Sequence, residues 1–305
     1  MNIRHETSAD TQAIAEVNWR AFGDMAEPQI IALARQHSSF DPAWSLVAEQ
    51  DDCVVGHVLF LRQRMRLMGA EIAAVSLGPI AILPEYQKQG IGAELIKAGH
   101  ARAREQGYVL SFLLGHDTYY PRFGYRVHQH GTASVEITHE MLSAVSSVPL
   151  QTRAVTHTDI PVLIALWEYE ESAVDFALYP GESVFDWISP NRLISSEVWL
   201  RDGVIVGYTR VKETEPSEPI CFMAVDADAA IRMAHSLISV ARSITLPLHP
   251  ASASAKAFPV TPVVTSRAAG MACPLVAGVL DVFSDQVAHG ERAAGRVIWP
   301  VMFEV

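Results

Sequence analysis

The chain has 305 residues, of which 50% are apolar and 19% charged. That is enough apolar material for a sizeable core and too much for a disordered chain. At this length two domains are the default, because one core seldom organises so many residues. A formal charge of −11 argues against a nucleic-acid surface, which needs clustered Lys and Arg, and an acidic surface steers cationic molecules inward.

Cys53, Cys221 and Cys273 lie far apart with no CxxC spacing, so neither a disulfide framework nor a metal site is expected. The opening MNIRHETSAD is polar and lacks an apolar signal core, and no long apolar run occurs. The expectation is a cytoplasmic protein without a membrane segment; whether it forms a homo-oligomer is left open by the composition.

Asn2 to Glu6 reads as a short strand, and Ser8 as an N-cap for a helix through Ala13, Val17 and Phe22, with Asp10 in its first turn. A second helix is expected from Pro28 to His37, where Ile30, Ile31, Leu33 and Ala34 share a face. Trp44 to Glu49, Val54 to Arg64 and Ile72 to Leu83 read as strands, separated by the turn pairs Asp51-Asp52 and Met68-Gly69. A helix opens at Gly90-Ile91-Gly92 and runs to Gln106, stopped by Gly107. Val109 to Leu114 is a buried strand, Thr118 to Phe123 a short helical turn, and Tyr125 leads a further strand. This order predicts an α/β protein, a mixed sheet with helices on both faces.

The second half begins again. Thr152-Arg153-Ala154-Val155 before Asp159 echoes Ile3-Arg4-His5-Glu6 before Asp10, and Asp202 to Tyr208 echoes Asp52 to His57. Two echoes at nearly the same offset point to an internal duplication. The small, polar stretch Ser143 to Pro149 marks the boundary, giving domains over 1–145 and 150–305.

The stretch Leu77-Gly78-Pro79-Ile80-Ala81-Ile82-Leu83-Pro84-Glu85-Tyr86-Gln87-Lys88-Gln89-Gly90-Ile91-Gly92 carries the chemistry. An apolar strand runs through a turn straight into a helix, whose first N–H groups have no intrahelical partner and whose dipole favours an anion there. Gly90 and Gly92 lack Cβ atoms, so the backbone can wrap a bulky diphosphate, and Gln87 and Lys88 add donors at the rim. The spacing is not GxGxxG and no GK[ST] follows, so neither a dinucleotide fold nor a P-loop fits. Without a ligand, the same segment is simply a glycine-rich strand-to-helix turn.

A second segment, Leu114-Gly115-His116-Asp117-Thr118-Tyr119-Tyr120-Pro121-Arg122-Phe123-Gly124-Tyr125, follows one strand later. Together the two segments resemble the GNAT acetyltransferase superfamily, in its YhbS-like branch, over residues 1–140. Q-x-x-G-x-G is similar to the family's pyrophosphate loop, and YYPRFGY to the signature that closes its cofactor site. The resemblance implies acetyl-CoA as acyl donor, with its diphosphate on Gln87, Lys88, Gln89, Gly90, Ile91 and Gly92. It implies a pantetheine arm laid between two splayed strands, meeting Ile80, Ala81 and Ile82.

The resemblance also implies direct attack of an amine on the thioester, with no covalent enzyme intermediate. An N–H near Leu77 or Gly78 would hold the oxyanion, and Tyr120, four residues before Gly124, would protonate the leaving thiolate beside the cofactor. The alternative for Tyr120 is an aromatic packing residue with its hydroxyl in water, with Tyr119 next in line as the acid. No base is assigned, because Val75-Ser76-Leu77-Gly78 carries no carboxylate; Glu71, Asp117, His116 and a water chain stay open.

Other features read as structural. Arg62, Arg64 and Arg66 alternate on one solvated strand face, and Lys97, Arg102 and Arg104 lie on a solvated helix face. Trp19 and Phe22 serve either the core or an acceptor pocket, and the aromatics from Trp167 to Trp187 read as a buried stripe at helical spacing. In the second half Asp226-Ala227-Asp228-Ala229 stands where the pyrophosphate loop would be, without glycines and with two carboxylates that repel a diphosphate. The closing residues from Val297 are expected to dock as a strand.

The expectation is therefore two tandem GNAT-like acyl-CoA N-acyltransferase folds, the first catalytic and the second degenerate. The reaction expected is acetyl transfer from acetyl-CoA to a small amine or a protein amino group, with no metal. The alternative is a non-catalytic acyl-CoA sensor, which would keep the loop but not need Tyr120.

Overall fold

The computed structural model describes all residues except 38–39, 143–147 and 239–241, so most of the expected boundary at Ser143 to Pro149 lies outside the described residues. The first half runs β1 (Asn2–His5), α1 (Thr11–Phe22), α2 (Ala26–Gln36), β2 (Ser45–Gln50), β3 (Cys53–Leu67), β4 (Ala70–Ile82), α3 (Ile91–Glu105), β5 (Leu110–Leu114), β6 (His130–Thr138) and the short α4 (His139–Leu142). The second runs β7 (Gln151–Ala154), α5 (Ile160–Glu171), β8 (Ile194–Arg201), β9 (Val204–Lys212), β10 (Cys221–Ala224), α6 (Ala227–Ile238), β11 (Ser243–Leu246), β12 (Val263–Ser266), β13 (Gly270–Pro274), α7 (Asp281–Ala288) and β14 (Gly295–Arg296). The strand expected from Tyr125 starts only at His130.

The duplicated sequence builds duplicated local structure. Before α1, Thr7 and Asp10 cap each other reciprocally, and Arg4 clamps the Asp10 carboxylate at 2.7 and 2.9 Å. Before α5, Thr156 and Asp159 do the same, with Arg153 at 2.6 and 2.8 Å. Each pairing satisfies helix-start donors and fixes the angle at which the chain leaves its strand. The hairpins match as well: Asp51-Asp52 between β2 and β3, and Asp202-Gly203 between β8 and β9, all take positive φ.

Strand alternation sorts the first core into two layers. On β3, Val58 and Phe60 pack with Leu95 and Ile96 of α3. Leu59 and Leu61 pack on the opposite face with Ile14 of α1 and Ile31 of α2. Each such fully buried side chain contributes about 1.5–3 kcal/mol of transfer free energy. The second half has its own cores around Met233 and Phe222 under α6 and around Leu163, Trp167 and Tyr208 under α5.

The first sheet has six strands in the order β1-β2-β3-β4-β5-β13. Its last strand comes from the second half: β13 pairs antiparallel with β5, Met271 opposite Leu113 and Ala272 opposite Phe112. In return β6, from the first half, pairs antiparallel with β11, Ile137 opposite Ile244. β6 also pairs with β12 and β14. Each half thus finishes a sheet begun by the other, so a division of the chain near residue 150 is not a division in space. Met65, Phe112, Phe176, Ala272 and Phe283 form a core common to both halves.

This shared core accounts for several differences from the sequence reading. The aromatics form no single stripe: Trp167, Trp187 and Tyr179 gather in the core under α5, Phe176 is buried in the shared core beyond the end of α5 at Glu171, and Tyr169 and Phe185 are exposed. Arg64 and Arg66 are not merely solvated, because both guanidiniums lie over the ring of Tyr179, at 4.6 and 5.2 Å. Of the two readings for Trp19 and Phe22 the core is excluded, because both are exposed, and Phe22 lines the cleft described below. The closing segment docks through a short helical turn, Val301–Phe303, and not as a strand, because Pro300 supplies no N–H. Trp299 stacks on Phe112 just before it.

Candidate active site

Two irregularities open the first sheet. On β4 the pairing shifts between Val58↔Ile80 and Phe60↔Leu77, so Gly78 and Pro79 together face Leu59. This is a β-bulge; Pro79 brings no ladder donor, and a Cβ at Gly78 would lie 3.2 Å from the Leu59 carbonyl. Beyond the bulge β4 also leaves β5. The two strands pair in parallel only from Ala74–Ser76 to Leu110–Phe112. The gap beyond is a cleft of about 1210 Å³.

One wall of the cleft is the bent end of β4: Leu77, Gly78, Ile80, Ala81 and Ile82 all line it. The loop closes one end with Gln87, Lys88, Gly90, Ile91 and Gly92, and Tyr120 stands on the opposite wall. Gln89 is the one named loop residue outside the lining; its amide donates to the Glu85 carbonyl at 3.2 Å. The Gln87 amide is likewise turned onto the chain, donating to the Ile82 carbonyl at 3.1 Å.

The loop geometry follows from its residues. Lys88 and Gly90 have φ of 62° and 86°, and Gly90 is the N-cap of α3 with nothing within 4 Å of where a Cβ would stand. Glu94 N is the first donor to bond back, to the Gly90 carbonyl at 3.2 Å. The amides before it make no such return bond, at the positive end of a fifteen-residue helix. The Tyr119 hydroxyl overhangs this turn, 2.9 Å from a Cβ built on Gly92. Arg122 lies over the Tyr119 ring at 3.9 Å.

Tyr120 is 8% exposed, its ring edge-on to Tyr119 and Tyr125 at 5.1 and 5.7 Å between centroids. Burial pushes its hydroxyl up to about 12, so it carries its proton throughout the neutral range. Behind it, the wholly buried Tyr125 hydroxyl joins Ser111 Oγ at 2.7 Å and His100 Nε2 at 2.9 Å, tying β5 to α3.

The end away from the loop uses residues that the sequence did not single out. Glu27 and Ile30 of α2 line it, as do Ile220, Pro247, Arg296, Trp299, Phe303 and Glu304 of the second half. The Glu304 carboxylate lies 3.0 Å from the buried Arg210 guanidinium, and Arg296 pairs with Glu171. Glu27 is half-buried, and burial raises its pKa above the usual Glu value. No local pattern announces the second-half residues, because the exchanged strands bring them there; Glu27 stands just before the helix expected from Pro28 and falls in the first turn of α2.

The corresponding helix start in the second half is closed. Asp226 accepts from Ala229 N at 2.7 Å and pairs with Arg201 at 2.6 Å. A carboxylate of the chain occupies the place where an anionic ligand would sit.

Residues 2–128 match the family model for the acetyltransferase (GNAT) domain. The chain is 38% identical over 131 residues to the uncharacterized N-acetyltransferase YjhQ of Escherichia coli strain K12, covering 41% of this chain and 72% of that protein. The chain belongs to the GNAT acetyltransferases. As a GNAT protein it is an acyltransferase, and its two halves are tandem units of that fold. Over 89% of the chain it superposes on 70% of a GCN5-related N-acetyltransferase from Kribbella flavida, with a TM-score of 0.71 at 17% identity. Over 90% it superposes on 73% of one from Anabaena variabilis, with a TM-score of 0.68 at 14% identity. These likenesses extend the fold, though not the activity, across both halves of the GNAT chain. Among the described residues no helix is long and apolar enough to cross a membrane, and no group of three or more His, Cys, Asp or Glu could hold a metal.

Proposed function

We propose that this GNAT protein transfers an acetyl group from acetyl-CoA to a primary amine by direct attack within a ternary complex. The observation that carries the reading is the course of the cleft, from the open amides of α3 along the bulged end of β4 to Tyr120. Open amides at a helix start, a strand edge that has left β5 while still paired with β3, and a buried phenol support the order that a diphosphate, a pantetheine arm and a thioester would need.

In this reading the loop amides of Ile91 and Gly92, with Gly90 giving clearance, receive the diphosphate. The backbone of Ile80, Ala81 and Ile82 borders the arm, and an N–H at Leu77 or Gly78 stabilises the oxyanion as the amine adds. As the carbon–sulfur bond breaks, Tyr120 gives its proton to the thiolate, and the proton lost by the nitrogen restores it through solvent. Glu27, which lines the cleft and has no cationic partner among the described residues, favours a cationic acceptor, whereas Glu304 is already paired with Arg210. A small amine and a protein amino group both meet that description.

The test has two stages. Thermal shift with acetyl-CoA, propionyl-CoA and succinyl-CoA should raise the melting temperature by mass action. Free-thiol release from the best donor with a panel of primary amines should then identify turnover. Stabilisation without thiol release from any amine would replace the transferase with an acyl-CoA sensor.

A further inference from the structure

The anion site at the start of α3 has a second side that the loop does not supply. Tyr119 leans over it, with its hydroxyl 2.9 Å from a Cβ built on Gly92. Arg122 stacks on the same ring at 3.9 Å and sits 5.0 Å from the centre of the Phe123 ring. Both Tyr119 and Arg122 line the cleft.

Arg122 differs from most arginines of the chain. Arg4, Arg20, Arg35 and Arg64 each pair with a carboxylate, whereas among the described residues no carboxylate pairs with Arg122. Its side chain is exposed, so its charge is accessible. Stacking orients a planar guanidinium without using its N–H donors, which leaves the fork free for a phosphate. The short turn Tyr120–Phe123, stopped by Gly124 at φ 90°, fixes the segment that carries both residues.

We infer that Arg122, held flat on Tyr119, is a phosphate ligand of bound coenzyme A, closing on it from the side opposite the amides of α3. This rests on the acetyl-CoA reading above. It adds a specificity element: the pair distinguishes a coenzyme A thioester from the same acyl group on pantetheine, which has the arm but no phosphate. No bond is made or broken in this role.

The experiment is isothermal titration of the full chain with coenzyme A, dephospho-coenzyme A and pantetheine. Arg122→Ala should weaken coenzyme A binding about tenfold or more, flatten its salt dependence and leave pantetheine unchanged. Arg122→Lys should recover only part of the loss, because an ammonium neither stacks nor forks. Tyr119→Ala should cost about as much as Arg122→Ala, and the double variant little more than either. Tyr119→Phe keeps the stacking ring, so most of the affinity should survive. A loss with coenzyme A but not with dephospho-coenzyme A assigns the contact to the ribose phosphate, and a loss with both assigns it to the diphosphate. Wild-type affinity in Arg122→Ala, or an equal loss with pantetheine, overturns the inference while leaving the acetyl-CoA reading intact. Absence of coenzyme A binding by the wild type removes both.

Discussion

The ring of Tyr120 lies so close over Gly115 that a Cβ there would come within 2.5 Å of its Cε2. The glycine therefore sets where the phenol stands, and in the proposed reading its distance from the thioester sulfur. Tyr120→Phe should lower kcat on the order of 100-fold while leaving acetyl-CoA affinity within about twofold. Gly115→Ala should also lower kcat, by pushing the ring aside with its hydroxyl intact. Steady-state thiol release and titration calorimetry read the two effects separately. Because burial holds Tyr120 near 12, its own ionisation should leave rate and stability unchanged up to pH 10. Between pH 10 and 12 the unfolded chain releases the proton first, and stability falls as pH rises.

Gly90 stands at φ 86° with open space around it, so strain rather than collision penalises a side chain there. Gly90→Val should cost about 1–3 kcal/mol in urea unfolding. It should also abolish the thermal shift produced by acetyl-CoA, because the side chain would project where the diphosphate is to lie.

The closure of the second helix start by Asp226 predicts one coenzyme A per chain in calorimetry. Asp226→Ala should lower stability by about 1 kcal/mol through loss of the cap. A stoichiometry of two in the wild type would contradict the assignment.

Much of this was legible in the sequence, and the exceptions have a common cause. The strands and helices up to Leu114 could be read because turn residues, caps and apolar periods are local signals, and Gly90-Ile91-Gly92 marks its own helix start. Asp226-Ala227-Asp228 was equally readable, since carboxylates at a helix start exclude an anion by charge alone. The far end of the cleft was not. Ile220, Arg296 and Glu304 reach it only because β13 joins β5 while β6 joins β11, and no local pattern encodes a pairing across more than a hundred residues. The misread stripe from Trp167 to Trp187 failed for the same reason, because Phe176 packs on the other half's Phe112 rather than along its own helix.

Four buried histidines predict the response to acid. Burial is the main cause that lowers His57 to about 3 and His100, His130 and His249 to about 4. His57 is held neutral between Asn18 at 3.1 Å and Ser45 at 2.8 Å. From pH 6.5 down to 4 the unfolded chain binds protons that the folded chain refuses, so stability is full above that window and is lost as pH falls through it. Urea unfolding at pH 5 should give a stability lower than at pH 7 by at least about 1–2 kcal/mol, and equal values would contradict the burial of these rings.

The exchanged strands predict cooperative unfolding. A Cβ at Gly131 on β6 would overlap the Thr265 carbonyl on β12, so Gly131→Ala should destabilise by about 1–3 kcal/mol. Calorimetry should show one endotherm that moves as a whole, in the wild type and in the variant. Two resolved endotherms would mean that the halves melt independently.

That interlacing also bears on how the chain has descended. A duplicated copy that loses its ligand is ordinarily free to be deleted, yet here deletion would strip β13 from its neighbour and expose the raw edge of β5. The second unit is tied to the first by these pairings, whatever chemistry it performs.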